Sequence, residues 1–118
     1  MTAPIAILAV SALFLGVMLT MSRWLAGHLP ASGEVPVHFN WRGQPDRFGS
    51  RWVTLALLPA IYGALCVVTA WMAAIRPDRI NPEDFAPALL GHLVTSLIVL
   101  VAHGLVMWLM LRWVRQQR

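Results

Sequence analysis

The sequence predicts an all-α membrane protein with three transmembrane helices and an ordered proline- and glycine-containing loop between the first and the second. Two observations carry this expectation. Of the 118 residues, 58% are hydrophobic and only 12% charged, against roughly 25% charged in soluble domains. A chain this short buries too small a fraction of its surface to hide so much apolar area from water. The apolar residues also gather into three uncharged runs, Pro4 to Ser22, Trp52 to Ile75 and Phe85 to Leu111. Each run is long enough for a hydrocarbon core about 30 Å thick at a rise of about 1.5 Å per residue. The chain therefore reads as one integral membrane domain over 1–118, with spans at about 4–24, 52–75 and 85–111 and the loop at 29–50.

The first span resembles a secretory leader in position, but no Lys or Arg precedes it and its apolar stretch exceeds a usual leader core, so an uncleaved helix is expected. Ala12, Gly16 and Thr20 form a small-residue ridge along it, and Ala56, Ala60 and Ala64 form another along the second span; such ridges allow close helix contact. Pro59 lies well inside the second span and must kink the helix or have its missing hydrogen bond replaced by neighbouring polar groups. The third helix has a start signal: Asn81 suits a cap, Pro82 the first helical position, and Glu83 and Asp84 the positive end of the helix dipole, with Pro87 in or just beyond the first turn. Trp24, Trp52 and Trp113 stand beside arginines and are expected at headgroup depth; Trp71, Phe85 and Trp108 mark interfaces or fill packing space.

Between the first two spans the composition changes. Val35, Val37 and Phe39 alternate with Pro36, His38 and Asn40 as in a short extended segment, and Gly43-Gln44-Pro45-Asp46 is a turn signal. Leu29-Pro30, Val35 to Asn40 and Gly43 to Ser50, followed by an apolar helix with Pro59, resemble the bacterial membrane domain-of-unknown-function family 1648. That domain also forms the N-terminal part of SdpI-type immunity proteins, which protect a cell against a secreted peptide and transmit a signal. The resemblance covers roughly the first two spans and their loop, with the connector from Arg76 to Pro82 also similar, and marks Pro30, Pro36, Gly43, Pro45, Gly49 and Pro59 as structural motif positions. It implies a small multi-pass protein of the bacterial inner membrane.

His38, Asn40, Asp46 and Arg47 are the candidate ligand- or partner-binding residues of the loop, with His28 as a further imidazole. The simpler use of Asn40 and Asp46 is to satisfy turns, and of His38 to fix the loop at the membrane surface. No HxxxH, HExxH or CxxC spacing accompanies them, so neither a metal nor a cofactor is expected. In the third span His92 and His103 lie eleven positions apart and share a face with Ser96. At about 1.5 Å per residue the two rings are about 16 Å apart and cannot share one ion. This polar face should point into the bundle, where it lines a proton or cation path or sets helix packing. The spans hold no Asp or Glu, which favours packing. The single cysteine, Cys66, lies in an apolar run, and no nucleophile, base and orienter converge anywhere in the sequence, so no enzyme is expected.

The nine cations are all arginines and the net charge is +4. They flank apolar runs instead of crowding a polar face, which indicates lipid headgroups and not nucleic acid. Seven of them fall on the side of the first loop and the C-terminus, against Arg76 and Arg79 opposite. Positive charge counts place the loop in the cytoplasm; the family resemblance implies the other face. The expected partners are the lipid bilayer and either a membrane protein, a secreted peptide or a second copy of the chain. The expected function is a non-catalytic binding or regulatory module related to peptide immunity or signalling, with a small transporter or channel subunit, or a membrane assembly factor, as alternatives.

Overall fold

A computed structural model of the chain describes residues 3–30, 33–75 and 82–117, with side-chain surroundings given for 5–30, 33–75 and 86–117. Its elements are α1 (Ala3–Ala26), β1 (Val35–Phe39), β2 (Pro45–Gly49), α2 (Arg51–Ile75) and α3 (Pro82–Gln116). The three helices expected from the uncharged runs are present, and each has a stretch long and apolar enough to cross a membrane: Ile5–Ala26, Arg51–Ile75 and Ala86–Gln116. α3 starts at Pro82 and runs through Pro87. The connector from Arg76 and the cap at Asn81 lie outside the described residues, as do the side-chain surroundings of Glu83, Asp84 and Phe85.

α1 packs on both α2 and α3. Its inward residues fall at 7, 11, 18, 22 and 25, and those of α3 at 96, 103, 107, 110 and 114. Three layers result. Ile7 meets Ala70 and Ala73 at one end, and Met18, Tyr62 and Cys66 fill the middle. Leu25, Leu29, Val35, Leu55, Met107, Met110 and Val114 close the end that carries the hairpin. The outer faces are apolar too: Leu13, Val67, Ile98 and Val101 are each more than 60% exposed. An apolar periphery around an apolar core suits hydrocarbon as the solvent.

The two small-residue ridges do not hold the helices together. Ala12, Gly16 and Thr20, like Ala56, Ala60 and Ala64, are exposed. The bundle closes instead on the faces carrying Met18, Ser22, Tyr62 and Cys66, where large side chains interlock and hydroxyls bond across helices. Trp24, Trp52, Trp71 and Trp108 point outward. Trp113 is instead partly buried and meets Phe48 edge-on, with ring centroids 6.2 Å apart.

The loop folds into an antiparallel two-stranded sheet, with Val35 opposite Gly49, Pro36 opposite Phe48, His38 opposite Arg47 and Phe39 opposite Pro45. The extended segment and the turn agree with the sequence pattern; β2 was not legible in it, since Asp46-Arg47-Phe48-Gly49 has no apolar alternation. Register slips on either side of His38, an irregularity of the kind that re-aims side chains. Asn40 ties the turn: its side-chain oxygen accepts from the backbone N–H of Arg42 and Gln44 at 2.9 and 3.0 Å. Gly43 supplies the left-handed residue at φ 75°. Ser50 caps α2 through its hydroxyl to the Trp52 N–H at 3.4 Å. The Thr54 hydroxyl donates to the Pro36 carbonyl at 2.7 Å, pinning β1 to α2.

Candidate functional site

Two polar features stand out, a seam inside the bundle and the hairpin at its end. The seam begins with Pro59. Proline has no N–H, so the carbonyl four residues earlier, that of Leu55, loses its helical donor. Ser22 of α1 replaces it, donating its hydroxyl to the Leu55 oxygen at 2.7 Å. With that hydrogen committed, Ser22 accepts from Nε2–H of His103 at 2.8 Å, which assigns the tautomer. One serine thus joins all three helices. Nδ1 of the fully buried His103 has no hydrogen-bond partner.

The serine–histidine contact recurs eleven residues earlier, there without the third helix. Ser11 donates to the Ile7 carbonyl at 2.6 Å and lies 3.0 Å from Nε2 of His92. Ser11 and Ser22 are eleven apart, as are His92 and His103. Eleven residues complete three helical turns with a drift of about 20°. α1 and α3 therefore run parallel, and the pairs fall on one seam. Between them Tyr62 of α2 and Ser96 of α3 bond hydroxyl to hydroxyl at 2.6 Å. His92, Ser96 and His103 do point inward as expected, each already held by a neighbour. Sequence reasoning missed Ser11, Ser22 and Tyr62, although the repeated eleven-residue spacing of the serines was a signal for two of them.

The hairpin brings together the other predicted residues. Nδ1 of His38 and the Asp46 carboxylate are 2.6 Å apart across the strands, with side chains 61% and 41% exposed. Asp46 thereby orients the imidazole and leaves Nε2 outward. Asp46 engages His38 and not Arg42 or Arg47, and this is the sole ion-pair contact among the described residues. Arg47 is exposed on β2. Asn40 serves the turn, and Pro45 begins β2. Pro36 is buried under Thr54, while Pro30 is exposed beyond α1. A side chain at Gly49 would press Val37 at 3.3 Å, and one at Gly43 would meet Leu109 at 3.2 Å. His28 bonds the Trp24 carbonyl at 2.9 Å and stays apart from the pair. Arg51 reaches the Ala26 carbonyl at 3.3 Å, a cation at the negative end of α1. No group of three potential metal ligands occurs among the described residues.

Two hollows flank the hairpin. A groove of about 360 Å³ runs between β1, α2 and α3, walled by aliphatic side chains including Leu57, Leu58, Leu105 and Leu109, with His38 and Asn40 on it. A polar cleft of about 200 Å³ lies beside it, lined by Arg42, Gln44, Arg112 and Gln116. Phe39 and Leu109 belong to both.

Three membrane-length helices with an apolar periphery define a multi-pass membrane protein. Its segment from 13 to 63, covering most of α1, the hairpin and half of α2, matches the family described as Domain of unknown function (DUF1648). That segment contains Ser22, the hairpin and Pro59, whereas His92, Ser96 and His103 lie beyond it. No curated protein and no solved structure matches the chain.

Proposed function

We propose that the chain is a non-catalytic binding or regulatory module of the bacterial cell membrane, related to peptide immunity or signalling, in which the hairpin is the recognition element. The observation that carries this reading is the His38–Asp46 pair. An exposed imidazole oriented by a carboxylate presents a defined polar contact, and the Asn40 turn and the Thr54 bond hold the hairpin that carries it firmly on the bundle. Rigid presentation lowers the ordering cost of binding. Among the described residues no third potential metal ligand joins the pair, which supports recognition through hydrogen bonds. The partner is a secreted peptide or a neighbouring membrane protein.

A deletion strain complemented with the wild type, His38→Ala or Asp46→Asn tests this. Deletion should alter sensitivity to secreted peptides, or remove a partner that copurifies from gently solubilised membranes. The wild type should restore that property and His38→Ala should not. Unchanged sensitivity together with no copurifying partner overturns the proposal. The histidine-lined conduit is a second reading, favoured by the unpartnered Nδ1 of buried His103; pH-dependent flux in liposomes that His103→Leu abolishes would support it, and an inert wild type would remove it.

A further inference from the structure

We propose that the polar cleft and the apolar groove beside the hairpin form one binding site for an anionic phospholipid of the surrounding bilayer, phosphate in the cleft and acyl chain in the groove. The two hollows share Phe39 and Leu109, so they are neighbours that one two-part ligand can reach past these side chains. Their order along α3 matches the order of chemistry across a leaflet. The groove meets α3 at Leu105, Val106 and Leu109, inside the span, and the cleft meets it at Leu109, Arg112, Trp113 and Gln116, nearer the helix end. From Leu105 to Gln116 the axial rise is about 16 Å, comparable to half of a hydrocarbon core of about 30 Å. The apolar part is deep and the basic part shallow.

Charge selects the headgroup. Arg42, on the hairpin turn, and Arg112, on α3, both line the cleft, and no carboxylate among the described residues pairs with either. Asp46, the acid closest to Arg42 in sequence, is engaged by His38. Each guanidinium lies over an indole, Arg42 on Trp41 at 4.8 Å and Arg112 on Trp108 at 5.7 Å. Stacking restrains the cation while leaving its N–H edge free for the bidentate contact that guanidinium makes with phosphate. Gln44 and Gln116 add neutral donors. A zwitterionic headgroup would bring its own ammonium toward these two arginines, so a net anionic lipid is favoured. His38 also borders the groove, so the acyl chain would lie beside whatever the exposed His38–Asp46 pair recognises and would make the seating of the hairpin depend on lipid composition.

The experiment uses the full chain in nanodiscs of equal phosphatidylglycerol and phosphatidylethanolamine, transferred to detergent, with retained lipid counted by native mass spectrometry. The wild type should retain phosphatidylglycerol in preference. Arg42→Gln and Arg112→Gln should each reduce that retention about five-fold, the share expected of one arginine at a membrane surface, whereas Arg23→Gln, at the same end of the bundle but outside the cleft, should leave it unchanged. Leu57→Trp, which fills the groove from a half-exposed position, should lower retention of both lipids while far-UV circular dichroism stays that of the wild type. Equal retention of the two lipids, or an Arg23→Gln loss as large as that of Arg112→Gln, overturns the proposal. Glycerol phosphate at millimolar concentration carries the same phosphate without chains; displacement of the lipid by it would make the site one for a free phosphate and also overturn the proposal.

Discussion

Removing the Ser22 hydroxyl should be the most costly small change in the bundle. Ser22→Ala deletes one oxygen and strands two buried groups, the Leu55 carbonyl that Pro59 cannot serve and Nε2–H of His103. An unsatisfied buried polar group costs about 1–3 kcal/mol, while interhelical hydrogen bonds measured in membranes average about 0.6 kcal/mol and reach about 1.7. With two groups stranded at once, a loss of about 2–3 kcal/mol is expected. Thr20→Ala is the control: its hydroxyl bonds only the Gly16 carbonyl of its own helix and is exposed, so the loss should stay below about 0.5 kcal/mol. The geometry also predicts how the cost should change in other backgrounds. Pro59→Ala restores an N–H for the Leu55 carbonyl, and His103→Leu removes the other stranded group. In either background Ser22→Ala should cost about half as much. Reversible unfolding of purified protein by dodecyl sulfate in mixed micelles, followed by far-UV circular dichroism, measures all of these. An equal cost for Ser22→Ala in all three backgrounds, or one no larger than that of Thr20→Ala, would refute the assignment of Ser22 as the joint of the three helices.

Two further outcomes are expected. Gly43→Ala should destabilise the hairpin by about 1–2 kcal/mol, since it forces a side chain into φ 75° and against Leu109 at 3.2 Å; Gly91→Ala, with open space around it, should be neutral or stabilise its helix by up to about 1 kcal/mol. Thermal unfolding in detergent distinguishes the two. Thr54→Val keeps shape but loses the bond to the Pro36 carbonyl, so hydrogen exchange of hairpin amides should quicken roughly ten-fold while amides in mid α1 keep their protection.

The existence of the three helices was legible because hydrocarbon imposes a strong, local rule, about twenty uncharged residues in a row; the end of α3 was not, since it runs past Leu111 through Arg112 and Arg115 to Gln116. Pro59 and the pair His92 and His103 could also be singled out, since polar or helix-breaking residues within apolar runs are rare and visible. Their partners were not. Ser22 looks like any serine near a span end until folding brings it to the Leu55 carbonyl, thirty-three positions away. The small-residue ridges misled for the same reason, because spacing alone does not say which face turns inward. Large side chains at Met18 and Tyr62 interlock in the middle layer, and the alanine ridges were left facing out.

In the loop, the extended segment and the turn followed from residue type, whereas the cross-strand meeting of His38 with Asp46 depended on a register that slips near His38 itself. The order of apolar and polar residues by itself determined the medium that suits this chain, its three candidate spans and where its polar loop lies, since those follow from transfer free energies summed along contiguous residues. Only the tertiary structure decided which polar groups meet, because a hydrogen bond depends on distances of a few tenths of an ångström between residues that the sequence keeps far apart.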